Sequence, residues 1–327
     1  MTQVNGNSHP VVAPVRTRTE ARVNPTRLER PAFLLNAPFS YSTDVPNNAW
    51  MEELSPEDRR PDQRRSMLQF LELYRILASD ALVYVLPTPR NGHLQDLVFT
   101  ANLGVIIENA KERNTVVISN FTSPPRRGET RVGKAFFQAM GYDTIVSPHR
   151  FEGEADLKHL QGNVYIGGYG IRSERETFEW MERTFGMEIV KVKLAEPYLY
   201  HLDCSVFPVT REKTLVCTEM FAPGEVAEIE KHTEIIDVSE FDAFSGICNS
   251  VRLGNTILNA SNIHQLKVGT EDYTLELHKN RSLEDIANRL AFDVGYVNLS
   301  EFMKGGALLS CMAMHLNRHS YSINLTA

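Results

Sequence analysis

Cys311 closes the segment Lys304-Gly-Gly-Ala-Leu-Leu-Ser-Cys311, a glycine pair followed by apolar residues and a thiol. By default such a cysteine is a small buried hydrophobe. As a thiolate it would be a nucleophile, but a free thiol with a pKa of about 8.5 is mostly protonated at neutral pH. Tyr200-His-Leu-Asp203 puts an imidazole and a carboxylate two residues apart, on one face if the segment is a strand. An imidazole titrates near neutrality and can both give and take a proton. Phe151-Glu-Gly-Glu-Ala-Asp156 and Gln95-Asp-Leu-Val-Phe-Thr-Ala-Asn102 add carboxylates and an amide. Asp and Glu are ordinarily solvated, yet converging carboxylates are what a planar cation with several N–H donors requires. A fifth segment, Asn48-Ala-Trp-Met51, carries another amide. The four cysteines form no CxxC pair and the ten histidines no HExxH, so no metal is expected and the thiols read as reduced.

In this order and at these separations, from residue 48 to residue 311, the five segments resemble the guanidine-modifying superfamily of arginine deiminases, amidinotransferases and dimethylarginine hydrolases. The Phe-Thr-Ala-Asn form resembles its arginine dihydrolase members. The resemblance implies an α/β pentein fold, a five-bladed, pseudo-symmetric ββαβ propeller around a polar channel. It also implies roles. Cys311 attacks the guanidinium carbon. His201 protonates the departing amine and then deprotonates the incoming water or acceptor. Glu152 orients His201 and binds guanidinium nitrogens, Asp96 grips the guanidinium, and Asp203 joins the cluster. Asn48 matches a substrate contact, and Arg126 and Arg172 match arginines near the substrate α-carboxylate. Deiminases tend to carry Asp where this chain has Asn102. An amide gives the guanidinium no second charge, but it both donates to and accepts from a neutral ureido group, which suits a second attack on citrulline.

The activity so implied is cysteine-dependent hydrolysis of the guanidino group of arginine or a close relative, through a covalent amidino-thioether at Cys311 and without a cofactor. Amidino transfer to an amine acceptor would use the same intermediate and stays open at this stage. Non-catalytic penteins that serve as binding modules lack the nucleophile and its carboxylates, which this chain keeps. It departs from the pattern at Ala49, where Pro is found, at Ala307 for Gly, at Ser310 for Lys or Arg, and at Glu154 for a small residue. Phe39–Asp44 is expected near the entrance, where it would set specificity.

The elements that must position these groups alternate strand, strand, helix, strand. Helices are expected over 62–79, 130–140, from Ser173 to near Gly186, over 223–232 and from Ser282. Strands are expected over 82–86, 105–107, 115–118, 163–166, 201–206, 214–217 and 250–259. Ser173 and Glu176 read as a capping box. Residues 1–30, rich in Arg and Pro, read as a disordered leader, and 31–327 as one catalytic domain. A net charge of −7 gives no footprint for nucleic acid, and no apolar run nears the roughly 20 residues of a membrane span. The expected partner is a small guanidino substrate such as arginine, in the cytoplasm, with a homo-oligomer left open.

Overall fold

A computed structural model describes residues 25–90, 93–110 and 114–322. The first strand, β1 (Ala32–Asn36), is followed by the short helix α1 (Ala49–Glu53), the long α2 (Gln63–Asp80) and β2 (Leu82–Leu86). Then come β3 (Gly104–Ile106), β4 (Thr115–Ile118), α3 (Glu129–Ala139) and β5 (Asp143–Val146), and next β6 (Leu157–Gln161), β7 (Val164–Tyr169), α4 (Arg175–Phe185) and β8 (Glu188–Lys193). The fourth set is β9 (Val206–Pro208), β10 (Lys213–Val216), α5 (Pro223–Glu230) and β11 (Glu234–Asp237), with α6 (Glu240–Phe244) as a connector. The last is β12 (Val251–Leu253), β13 (Thr256–Ala260), α7 (Glu271–Arg289) and β14 (Asp293–Val297), before α8 (Ser300–Met303), α9 (Leu309–Met312) and β15 (Met314–His315).

These strands make five three-stranded sheets of one plan. The first strand runs antiparallel to the second, and the second runs parallel to the third across a helix, the crossover that a parallel pair needs. Middle strands are covered on both faces: Val116, Val117 and Ile118 are fully buried, so their β-branched run reads as continuous rather than alternating. On α4, Thr177, Phe178 and Met181 form the buried stripe, and Gly186 ends the helix in the left-handed conformation at φ 64°.

The fifth sheet joins the chain ends, with β15 antiparallel to β1 (Phe33 opposite His315) and β2 parallel to β1. Glu154 pins this seam. It accepts from the His315 backbone N–H at 2.9 Å, from His315 Nδ1 at 2.5 Å and from Arg318 Nη2 at 2.8 Å. Burial alone would raise its carboxyl, but Arg318 and His315 outweigh it and hold the group well below the usual range. The unusual acid of the Glu-Gly-Glu segment thus closes the ring.

Several local expectations change. Helix α7 starts eleven residues before Ser282, with Thr270 Oγ1 accepting from Tyr273 N at 3.4 Å. Ser173 does not cap α4; its hydroxyl donates to Asp156 instead, at 2.6 Å. The expected strand at 201–206 is a 3-10 turn over Leu202–Cys204 before β9, and Cys311 lies in α9 rather than in a strand. Of the expected leader, residues 1–24 lie outside the described residues, whereas 25–30 are tied down. Asn317 Nδ2 donates to Pro25 O at 3.0 Å, Leu28 O at 3.4 Å and Arg30 O at 2.9 Å, and Thr26 Oγ1 meets Tyr142 OH at 2.7 Å. No helix of the described residues is long and apolar enough to cross a membrane.

Candidate active site

Each sheet is entered through a tight turn, and the site is built from these turns: Thr100–Leu103 before β3, Gly153–Ala155 before β6, Leu202–Cys204 before β9, the bend 247–250 before β12, and α9 before β15. Gly153 has φ +68°, and a Cβ there would sit 2.5 Å from Ala101 O. Only glycine lets the turn carrying Glu152 press against the turn carrying Asn102.

Cys311 is buried. Its Sγ lies 3.4 Å from Asp203 Oδ2 and 3.5 Å from Asn249 Nδ2. The preceding residue is held from both sides: Ser310 N donates to Asn249 Oδ1 at 2.8 Å and Ser310 Oγ to Asp203 Oδ2 at 2.5 Å. Burial, and then the Asp203 charge, push the Cys311 thiol up to about 12, with the Asn249 N–H pulling the other way. At rest near neutral pH the group is therefore a thiol.

His201 Nε2 is 2.9 Å from Glu152 Oε2. Glu152 Oε1 accepts from Thr122 N at 3.2 Å and faces Arg172 Nη1 at 3.6 Å. Burial would raise this carboxyl, but Arg172 and His201 prevail and keep it ionised far below the usual range. The turn carrying His201 is fixed by Asp156, whose Oδ1 accepts from Leu202 N at 3.2 Å. Burial moves Asp156 up to about 6. Asn102 Nδ2 rests against the imidazole, 3.3 Å from Nε2 and 3.5 Å from Nδ1.

Asp96 is 2 % exposed. Its Oδ2 accepts from Asn47 Nδ2 at 2.7 Å and Gln95 Nε2 at 3.2 Å, while Oδ1 has no hydrogen-bond partner among the described residues. Burial raises this carboxyl, and Arg126 counteracts it. A buried carboxylate oxygen without a donor is costly, and a ligand N–H would satisfy it.

Of the expected substrate contacts, Asn48, Arg126 and Arg172 are engaged within the protein. Asn48 Oδ1 caps α1 at Met51 N (3.0 Å), its Nδ2 donates to Gly305 O (3.0 Å), and Gly306 at φ +76° leaves room for its amide. Arg126 makes a two-pronged pair with Glu129 at 3.0 and 2.8 Å and donates to Asp96 O and Phe99 O at 3.3 Å, standing behind Asp96 as support. Arg172 donates to Asn47 O at 2.5 Å and lies over the Tyr200 ring at 4.7 Å. Sequence reasoning missed Asn47 and Asn249. The first is masked by its neighbour Asn48, and the second sits in a Cys-Asn-Ser bend that carries no motif. A cavity of about 380 Å³ reaches both Cys311 and His201, walled by Trp50, Tyr198 and Phe244 among others. Phe39–Ser42 and Asp44 line a different cavity, of about 830 Å³, that touches neither Cys311 nor His201. The neighbouring Val45 is tied to Gln95, next to Asp96, by Val45 N to Gln95 Oε1 at 3.2 Å and Gln95 Nε2 to Val45 O at 2.9 Å.

A ring of ββαβ sheets with cysteine, histidine and carboxylates on its entry turns is the architecture of the guanidine-modifying enzymes. Within that class, the chain belongs to the family described as "N,N dimethylarginine dimethylhydrolase, eukaryotic", which matches residues 37–318. It is 29% identical over 290 residues, 87% of its length, to the bifunctional arginine dihydrolase/ornithine cyclodeaminase AgrE of Nostoc sp.. Because those residues are 37% of AgrE, the chain spans under two fifths of that relative. An N(G),N(G)-dimethylarginine dimethylaminohydrolase of Mycobacterium tuberculosis is 25% identical over 94% of this chain and 91% of its own. The N-terminal domain of ArgZ, solved covalently bound to a reaction intermediate, superimposes with a TM-score of 0.75 at 26% identity, covering 88% of this chain and 97% of that one.

Proposed function

We propose that this chain is a cysteine-dependent hydrolase of the guanidino group of arginine, of the dihydrolase or deiminase type. Three observations support the reading together: the Cys311 thiol on Asp203, the His201–Glu152 pair, and a buried carboxylate oxygen, Asp96 Oδ1, with no hydrogen-bond partner among the described residues, Arg172 acting on both Glu152 and Asp96. A guanidinium placed between Asp96 and Glu152 supplies the missing N–H donors, and its charge favours the Cys311 thiolate. The Cys311 proton passes to His201 as sulfur adds to the guanidinium carbon, His201 gives that proton to the departing nitrogen, and ammonia leaves an amidino-thioether. His201 then takes a proton from water, whose oxygen adds to the same carbon and expels the thiolate, giving citrulline. Asn102, against the imidazole, can hold that neutral ureido group for a second attack, which yields a second ammonia, carbon dioxide and ornithine. The four free thiols suit a reducing compartment, and we place the enzyme in the cytoplasm.

The test is product stoichiometry from arginine, measured by chromatography together with an ammonia assay. About two ammonia per ornithine supports dihydrolase, and one per citrulline supports deiminase. Ornithine release that depends on an added amine would turn the reading to amidino transfer. A second reading, hydrolysis of an N-methylated arginine, draws on the family match. It requires methylamine or dimethylamine release with arginine untouched.

A further inference from the structure

The bend before β12 is built as a platform. Asn259 Nδ2 ties Gly246 O at 2.9 Å and Ser250 Oγ at 2.8 Å, Ser250 Oγ donates to Ile247 O at 2.8 Å, and Asn249 N donates to Gly246 O at 3.1 Å. From it the Asn249 side chain, 4 % exposed, reaches the nucleophile. Its orientation follows from its partners. The Ser310 backbone N–H, 2.8 Å away, can only donate, so Oδ1 must face it. Nδ2 therefore faces Cys311 Sγ at 3.5 Å. The sulfur thus lies between a carboxylate that accepts its proton and an amide that donates to its lone pairs.

We propose that Asn249 is a further functional residue of this site, anchoring Ser310 through Oδ1 and holding the reacting sulfur, thiolate included, through Nδ2–H. The assignment rests on Cys311 being the nucleophile. An N–H donor stabilises a thiolate more than a thiol, whereas Asp203 does the reverse. The other titratable groups that face the sulfur are Tyr200, Cys204 and His201. The first two are neutral near pH 7, burial holding the Tyr200 hydroxyl and the Cys204 thiol high. Asn249 then acts on the sulfur as donor and clamp together.

The experiment follows the rate of Cys311 alkylation by iodoacetamide against pH, by mass spectrometry of the Cys311 peptide, beside kcat and KM for arginine. Wild type, Asn249→Leu and Asn249→Asp are compared, with circular dichroism to check folding and Cys311→Ser as control. Loss of a hydrogen bond to a charged group should lower the alkylation rate of Asn249→Leu about 10- to 100-fold at any fixed pH below the thiol's midpoint, through the smaller thiolate fraction. Asn249→Asp, of equal size, should lower it further, because the new charge repels the thiolate. Fold loss in the leucine variant leaves the aspartate variant to decide. KM should stay within about threefold while kcat falls. Alkylation rates within about threefold of wild type in both variants overturn the Asn249 assignment alone, whatever kcat does. If wild-type activity survives complete alkylation of Cys311, the nucleophile reading falls instead.

Discussion

Asp96→Asn should make the empty protein more stable and the enzyme far worse. In the native site Asp96 Oδ2 already takes the Asn47 and Gln95 donors, and Oδ1 takes none among the described residues. Leaving one acceptor of a buried carboxylate unmet costs on the order of 1–3 kcal/mol. An asparagine keeps the Asn47 and Gln95 bonds on its own oxygen and removes the buried charge. Burial raises the Asp96 carboxyl above its ordinary range. A group so raised contributes stability that is present below the unfolded pKa, about 3.9, and lost as pH rises through the folded value. At pH 7.5 the ionised side chain is therefore a cost, and its removal should lift Tm by about 2–4 °C. That gain should shrink as the pH falls toward 4. Removing one partner of a buried charge pair costs about 2–5 kcal/mol, so kcat/KM for arginine should fall about 30- to 4,000-fold. The thermal shift that arginine induces in wild type should disappear. Calorimetry at the two pH values, with and without arginine, and initial rates provide the measurements. A lower Tm together with kcat/KM within about threefold of wild type would refute the reasoning, because it would make Asp96 a structural group.

His201→Ala should slow turnover on the order of 10²–10⁴-fold, and a covalent adduct should accumulate on Cys311, visible by intact mass. Asn102→Asp should shift the products from ornithine toward citrulline, because the added charge favours the cationic guanidinium and gives the neutral ureido group no matching donor; chromatographic product ratios decide it. A chain beginning at Pro25 should match the intact protein in kcat/KM. One beginning at Pro31 should lose about 1–3 kcal/mol in a denaturant titration, since Asn317 Nδ2 loses the carbonyls of Pro25, Leu28 and Arg30, and Tyr142 loses Thr26.

The candidate residues were legible for a reason distinct from the legibility of the elements. Cys311, His201, Glu152 and Asp96 stand in segments whose order and spacing carry the family resemblance, and the family match over residues 37–318 spans them. The pairing of β3 with β4 was readable because Val105, Val116, Val117 and Ile118 form branched runs buried on both faces. Helix α7 was misplaced because its first turns, Glu271 to Lys279, show little apolar period, and several of its buried positions are polar, Lys279 and Asn280 among them. The His201–Asp203 relation was argued from strand geometry, but three residues cannot reveal a 3-10 turn. The two side chains instead reach opposite partners, Glu152 and Cys311. The ring closure of β15 on β1, and the role of Glu154 in it, depends on contacts between the two ends of the chain. No local pattern encodes these. Asn47 and Asn249 were invisible because an amide in a loop looks alike whether it faces water or sulfur.

The charges around the site bear on the proposal that a cationic group completes it. Glu152 is matched by Arg172 and His201, and Arg126 is matched by Glu129. The hydrogen-bond donors to Asp96 are the neutral Asn47 and Gln95, and those to Asp203 are the neutral Ser310, Cys311 and Cys204. With Asp156, whose donors are Ser173 Oγ and Leu202 N, three buried carboxylates are left without a bonded cation among the described residues, and burial makes that deficit expensive. Burial, and then the same Asp203, push the Cys311 thiol up. Under the proposed function, a guanidinium entering the site would relieve both conditions at once, donating to the carboxylates and placing positive charge beside the sulfur. Nucleophile activation would then be tied to occupancy. A neutral ureido group brings donors but no charge, so on this reasoning the second hydrolysis should be the slower step. Single-turnover mixing with arginine should then show a transient rise of citrulline before ornithine appears.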